Sequence, residues 1–116
     1  MLRNLLTSAV VFAGLLLTLP VGGAELRTRP EIAYVDATDA SPLQRLDAYW
    51  TPERTGQPVM IYIHGGGWRK GDKANVARKP QAFADQGFAF VSVNYRLHPQ
   101  TDFRGQGADV ARAIQH

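Results

Sequence analysis

The sequence predicts an α/β fold, and three observations predict it. Two apolar runs, Val59 to Ile63 (VMIYI) and Phe88 to Tyr95 (FAFVSVNY), have the bulky, largely β-branched character of strands buried on both faces. The residues between them carry a helical pattern, so the three form a βαβ unit, which should be parallel and right-handed. The first run stops at His64, Gly65, Gly66 and Gly67. A glycine loop at the carboxyl end of a buried parallel strand is where open α/β sheets bind ligands. The run from Val59 to Ile63 is therefore expected at the centre of the sheet.

The first residues stand apart from this pattern. Arg3 precedes 21 uncharged residues, Asn4 to Ala24, with an apolar centre from Leu5 to Leu19 and small residues at Gly22, Gly23 and Ala24. This is the composition of a secretory signal peptide over residues 1–24, cut after Ala24, and it places the protein outside the cell or in a periplasm. An uncleaved membrane anchor is the alternative, because 21 such residues suffice to span a bilayer. Removal of the leader leaves residues 25–116 as a single partial domain.

Taken in order, Glu25 to Arg29 reads as a polar leader ending at Pro30, and Glu31 to Asp36 as a short strand near a sheet edge. Ala37 to Pro42 has turn chemistry. Leu43 or Leu46 to Trp50 is the next strand, closed by Thr51 and Pro52. Pro58 then suits the first position of the strand after the polar loop Glu53 to Gln57. Asp72 is placed to cap a turn through Asn75 and Val76. Pro80 opens a helix that Gly87 ends, with Ala82, Phe83 and Gln86 on one face and Phe83 towards the sheet. Gln100 to Gly107 reads as loop. Ala108 to Gln115 reads as a helix with Val110, Ala113 and Ile114 inward and Asp109 in its first turn, where it suits the helix dipole.

The set HGGGW, GDK, GF, VNYRL and DVARAI resembles, in order and spacing, the amino-terminal part of an α/β-hydrolase, from about Asp47 to the last residue. The likeness is to the esterase and lipase branch with an HGGG oxyanion-hole loop, of the BD-FAE-like and hormone-sensitive-lipase-like kind. It implies a mixed, mostly parallel sheet with flanking helices, here incomplete. It also implies that a segment resembling LDAYWTP pairs antiparallel with its neighbour. By the same resemblance Gly66 and Gly67 supply oxyanion-hole N–H groups and Gly65 shapes the turn, with Trp68 N–H left open as a neighbouring donor. His64 matches the position whose ring braces the loop, and it is not the family's base. Trp68 is read as packing the loop down, with lining of an acyl pocket as the alternative. Arg96 is read as pinning the loops to a nearby carboxylate, with substrate contact as the alternative.

The chemistry such a hydrolase needs is missing from the chain. No G-x-S-x-G occurs: Ser8 lies in the leader, Ser41 in a turn and Ser92 inside a strand. The histidines are His64, His98 and His116, and no Ser, Asp, His set can be drawn in the expected order. The chain is thus expected to be an amino-terminal fragment with no catalytic residue of its own, its partner a small-molecule ester. Short-chain esters, acetylated or feruloylated carbohydrates and aryl formamides are all handled by relatives. The competing reading is a non-catalytic truncated product or a small binding module.

Composition excludes other classes. With no cysteine there are no disulfides or thiolate sites, and the scattered histidines and carboxylates lack metal-ligand spacing. HGGGWRKGDK matches neither nucleotide-loop pattern, so no cofactor is expected. A net charge of +3, +2 without the leader, comes from dispersed arginines and predicts neither nucleic-acid binding nor stable membrane association once the leader is cut.

Overall fold

The computed structural model describes residues 22–36 and 38–116, so the predicted leader lies, apart from its last three positions, outside the described residues. Four strands and two helices follow in the order β1 (Arg27–Ala33), β2 (Arg45–Trp50), β3 (Val59–Ile63), α1 (Lys79–Asp85), β4 (Ala89–Val93) and α2 (Phe103–Gln115). The sheet order is β1-β2-β4-β3. β2 pairs antiparallel with both β1 and β4, while β3 and β4 run parallel in the register Val59↔Ala89 to Ile63↔Val93. The sheet is mixed, as the sequence predicts, with its parallel part confined to β3 and β4.

Alternation sorts the side chains of β4 between two faces. Val93 joins Leu46, Tyr34 and Ala113 in the core under α2. Phe90 faces the other way and stacks on Phe83 of α1, with ring centroids 5.6 Å apart, and on Tyr62, while Tyr49 meets it edge to face. Phe83 thus meets the sheet as its pattern predicts. The buried positions of α1 are Pro80 and Ala84, and Ala82 and Gln86 are exposed instead of sharing its inward face. Gly87, at φ 92, ends that helix in the left-handed region where a Cβ is strained.

Three expectations are corrected. β3 is an edge strand and not a central one, because β4 takes the position between β2 and β3. Val59, Ile61 and Ile63, alternate residues on one face of β3, are exposed. β1 begins at Arg27, ahead of the predicted Glu31, and runs through Pro30 by way of a pairing irregularity between Arg29 and Ile32, where Glu31 adopts φ 61. Pro30 is tolerated there because, among the described residues, β1 has no strand on its outer side to receive an N–H. Finally, α2 starts at Phe103, within the predicted loop. Asp102 caps it by accepting from Arg104 and Gly105 N–H at 3.1 and 3.0 Å. Ile114 is exposed, and the inward stripe is Gln106, Asp109 and Ala113.

Polar groups tie the segment after the glycine loop to the sheet. Asn94 Oδ1 accepts from Lys73 N–H and Ser92 Oγ donates to the Lys73 carbonyl, each at 2.7 Å. The buried Lys73 ammonium lies 2.8 Å from Asp47 Oδ1 and also contacts Glu31. Burial opposes the charge on Lys73, but hydrogen bonds from its amine to Asp47 and Glu31 outweigh it and raise its pKa above the ordinary lysine range. Asp72, as expected, closes a turn: its Oδ1 accepts from Ala74 N–H at 2.7 Å.

Candidate functional site

A cavity of about 440 Å³ opens where β3 ends, lined by Ile63, the loop from His64 to Trp68, Tyr95, Phe103, Gln106 and Val110. The loop runs through three consecutive residues at positive φ: Gly66 at 134°, Gly67 at 62° and Trp68 at 60°. Gly66 has no room for a side chain, since a Cβ would lie 1.9 Å from the Lys70 carbonyl oxygen.

The loop carbonyls are committed one by one. Tyr95 Oη donates to His64 O at 2.9 Å, and His64 Nδ1 approaches its neighbour's carbonyl, Gly65 O, at 2.9 Å. A carbonyl can only accept, so Nδ1 carries the proton. Gly66 O accepts from Arg69 and Lys70 N–H at 3.3 Å, and Trp68 O accepts from His98 N–H and Gln106 Nε2 at 2.9 Å. Among the described residues, the N–H groups of Gly65, Gly66, Gly67 and Trp68 make no hydrogen bond. Carbonyl and N–H point oppositely across a trans peptide plane, so fixing Gly65 O aims Gly66 N–H and fixing Gly66 O aims Gly67 N–H. The loop therefore carries a run of uncommitted donors where it lines an apolar cavity.

His64 is buried and stacks on Tyr95 with centroids 4.7 Å apart, so its ring sits beneath the loop. The Trp68 ring does not pack the loop down as predicted. It is 64% exposed at the cavity, and the residue anchors the loop through its carbonyl instead. Arg96 meets the carboxylate expected of it: Nε and Nη2 reach the two oxygens of Asp109 at 2.8 Å, and Arg96 N–H adds a third bond at 3.0 Å. Asp109 is fully buried and also accepts from Gln44 Nε2 at 2.9 Å, so it is a buried anchor and not the dipole partner that its position suggests.

Three site residues escape the sequence reading. Gly71, at φ 118, lets the chain pass under the loop, where a Cβ would lie 2.2 Å from His64 Nδ1. Gln106 reaches the loop from a helix the sequence starts too late. Tyr95 carried one usable signal: a tyrosine closing a buried strand needs a partner for its hydroxyl. Burial raises the Tyr95 phenol above its usual range, which keeps it a donor. Tyr95→Phe is expected to cost about 1–2 kcal/mol in urea unfolding, because it orphans the His64 carbonyl while keeping the ring stack.

Among the described residues, no group of three His, Cys, Asp or Glu is placed to hold a metal ion, and no helix is long and apolar enough to cross a membrane.

The BD-FAE family model matches residues 46–116. The chain is 35% identical to Carboxylesterase NlhH of Mycobacterium tuberculosis over 66% of its own length and 24% of that protein's. It is 31% identical to Neutral cholesterol ester hydrolase 1 of Mus musculus over 82% of this chain and 24% of the relative. Among solved structures, an inhibited Esterase B from Lactobacillus rhamnosis superposes with a TM-score of 0.67 and 34% identity, over 77% of this chain and 29% of that one. The chain thus spans about a quarter of the length of these curated relatives. Matched over most of its described length, with a carboxylesterase and a cholesterol ester hydrolase as relatives and an esterase as structural neighbour, the chain belongs to the BD-FAE family of α/β-hydrolase esterases.

Proposed function

We propose that this chain carries the oxyanion-hole part of a serine carboxylesterase, with Gly66 and Gly67 as the donors. The observation that carries the reading is the loop in which His64, Gly65, Gly66 and Trp68 carbonyls are all tied while the amides between them stay uncommitted beside the cavity. Donors already aimed at one place stabilise charge that develops there, at no cost in reorganisation. In the reaction, a serine hydroxyl attacks the ester carbonyl, a histidine takes its proton, and the carbonyl oxygen becomes the oxyanion that these amides hold. The serine, the acid and the histidine that serves as base are taken to lie outside these 116 residues. His64 braces the loop and takes no part in proton transfer.

The substrate is a small ester whose acyl or alcohol part occupies the apolar cavity between Ile63, Trp68, Phe103 and Val110. The dispersed charge favours such a partner over nucleic acid. The basic start and apolar run before Ala24 support export, so residues 25–116 belong to the functional domain.

The test has two arms. The purified chain should release no nitrophenol from a nitrophenyl acetate beyond the buffer rate, and turnover abolished by a serine-directed inhibitor would overturn the assignment of the nucleophile elsewhere. Titrating the labelled chain with n-butylphosphonate, a tetrahedral anion with a short apolar tail, should shift the amide resonances of Gly66 and Gly67. Shifts confined to other residues would remove the oxyanion reading.

A further inference from the structure

We infer that Gln106 is a positioning residue for the Gly67 amide, acting through two linked peptide planes. Gln106 is 4% exposed, and its Nε2 donates to Trp68 O at 2.9 Å. Its Oε1 is buried without a partner among the described residues. A buried acceptor left unpaired is costly, and an apolar side chain of the same length would fill the space without that cost. Among the described residues, the one polar contact of the Gln106 side chain, to the Trp68 carbonyl, is what its carboxamide adds over such a side chain.

That contact reaches the cavity in defined steps. Trp68 O and Arg69 N–H lie on opposite edges of one peptide plane, so holding the oxygen points the N–H. Arg69 N–H donates to Gly66 O at 3.3 Å. Gly66 O and Gly67 N–H are opposite edges of the next plane, so the direction given to the first is passed to the second. Trp68 itself stands at φ 60, a conformation that a non-glycine residue keeps only where its surroundings hold it. Two donors hold it, His98 N–H from the segment after β4 and Gln106 from α2. The helix thereby sets the geometry of a loop more than thirty residues earlier in the chain. The proposal rests on Gly67 being an oxyanion donor for its catalytic meaning, while the positioning itself can be read without it.

Gln106→Met tests this in the full chain, because it keeps length and removes both the donor and the orphaned acceptor. The urea midpoint should stay the same or rise, while the Arg69 and Gly67 amide resonances move and broaden. Affinity for n-butylphosphonate should fall by roughly tenfold, the equivalent of about one hydrogen bond. Unchanged Arg69 and Gly67 resonances would overturn the inference, as would equal phosphonate affinity in the two chains. If the parent chain binds no phosphonate, the oxyanion reading fails and the amide resonances alone decide the positioning. Should the variant not fold, the parent chain still decides the contact. One Gln106 side-chain amide proton should exchange at least about tenfold more slowly than those of exposed Gln115, and equal rates would overturn the inference.

Discussion

An Asp109→Ala chain is expected to lose most of its stability and to melt only slightly above room temperature. The carboxylate has no exposed surface and accepts from Arg96 Nε, Nη2 and N–H and from Gln44 Nε2. It is where α2, the segment after β4 and the turn before β2 meet. Removing one member of a buried ion pair costs about 3–5 kcal/mol, because the other is left charged and undersatisfied. A domain of this size has a total stability on the order of 5–10 kcal/mol. With six large apolar side chains exposed among the described residues, from Val59 to Ile114, the fold is expected to have little beyond that minimum. Far-ultraviolet circular dichroism should show the loss of helix on slight warming, and a cooperative melt near that of the parent would refute the expectation.

The same carboxylate sets an acid limit. Burial works against its charge, and the hydrogen bonds from the Arg96 side chain and backbone and from Gln44, with the Arg96 charge, outweigh burial and hold its pKa below the usual aspartate range. A carboxyl depressed in the folded state adds stability that is complete above its unfolded pKa of about 3.9 and is lost as pH falls through the lower folded value. The stability difference between the parent and Asp109→Asn should therefore be flat above about pH 5 and shrink below about pH 4. A gap unchanged under more acid conditions would mean that the charge contributes nothing.

Gly71→Ala is expected to disable the loop with nearly as large an effect. Its Cβ would fall 2.2 Å from His64 Nδ1 and 2.4 Å from Gly65 O, and the residue stands at φ 118. Both conflicts strike rigid groups: an imidazole stacked on Tyr95 and the carbonyl it holds. Overpacking costs about 1–3 kcal/mol, and a forbidden φ adds about 1–2 more. The expected result is a loss of about 2–5 kcal/mol in urea unfolding, with displaced amide resonances from Gly65 to Gly67. Unchanged stability together with unchanged loop resonances would show that the segment 69–73 yields freely.

The strands and the loop that follows β3 were legible because they depend on local chemistry. Val59 to Ile63 can only be a strand, and three glycines after it can only be a loop. What sits beside a strand is another matter. The same five residues suit a central position or an edge, and pairing with β4 alone decides that they end at the edge. The start of α2 was hidden by Gly105 and Gly107, which read as breakers. Gly105 is there because a Cβ would lie 1.8 Å from Thr101 Oγ1, a close approach that no local pattern announces. Within the site, the glycines and His64 were visible as a motif. Tyr95 and Gly71 lie within the quoted motifs, but their roles in the site, like that of Gln106, were not visible, since each acts on a group near His64 to Trp68 that the fold alone brings close. Arg96 showed that it needed a carboxylate, but it could not show which. Asp109, thirteen residues on, also takes a bond from Gln44 at a separation of 65.

The two margins of the sheet differ in whether they can receive a newcomer. Along Arg27–Ala33 a proline without a donor, a kink at Glu31 and alternating charge leave no continuous row of hydrogen-bonding groups. Along Val59–Ile63 no charge, proline or kink interrupts that row. Among the described residues, the margin along β3 is the one left open to an added strand, and it adjoins the stretch His64 to Trp68. A strand added there parallel to Val59–Ile63 would bring its carboxyl end beside the uncommitted amides and not to the far flank of the molecule.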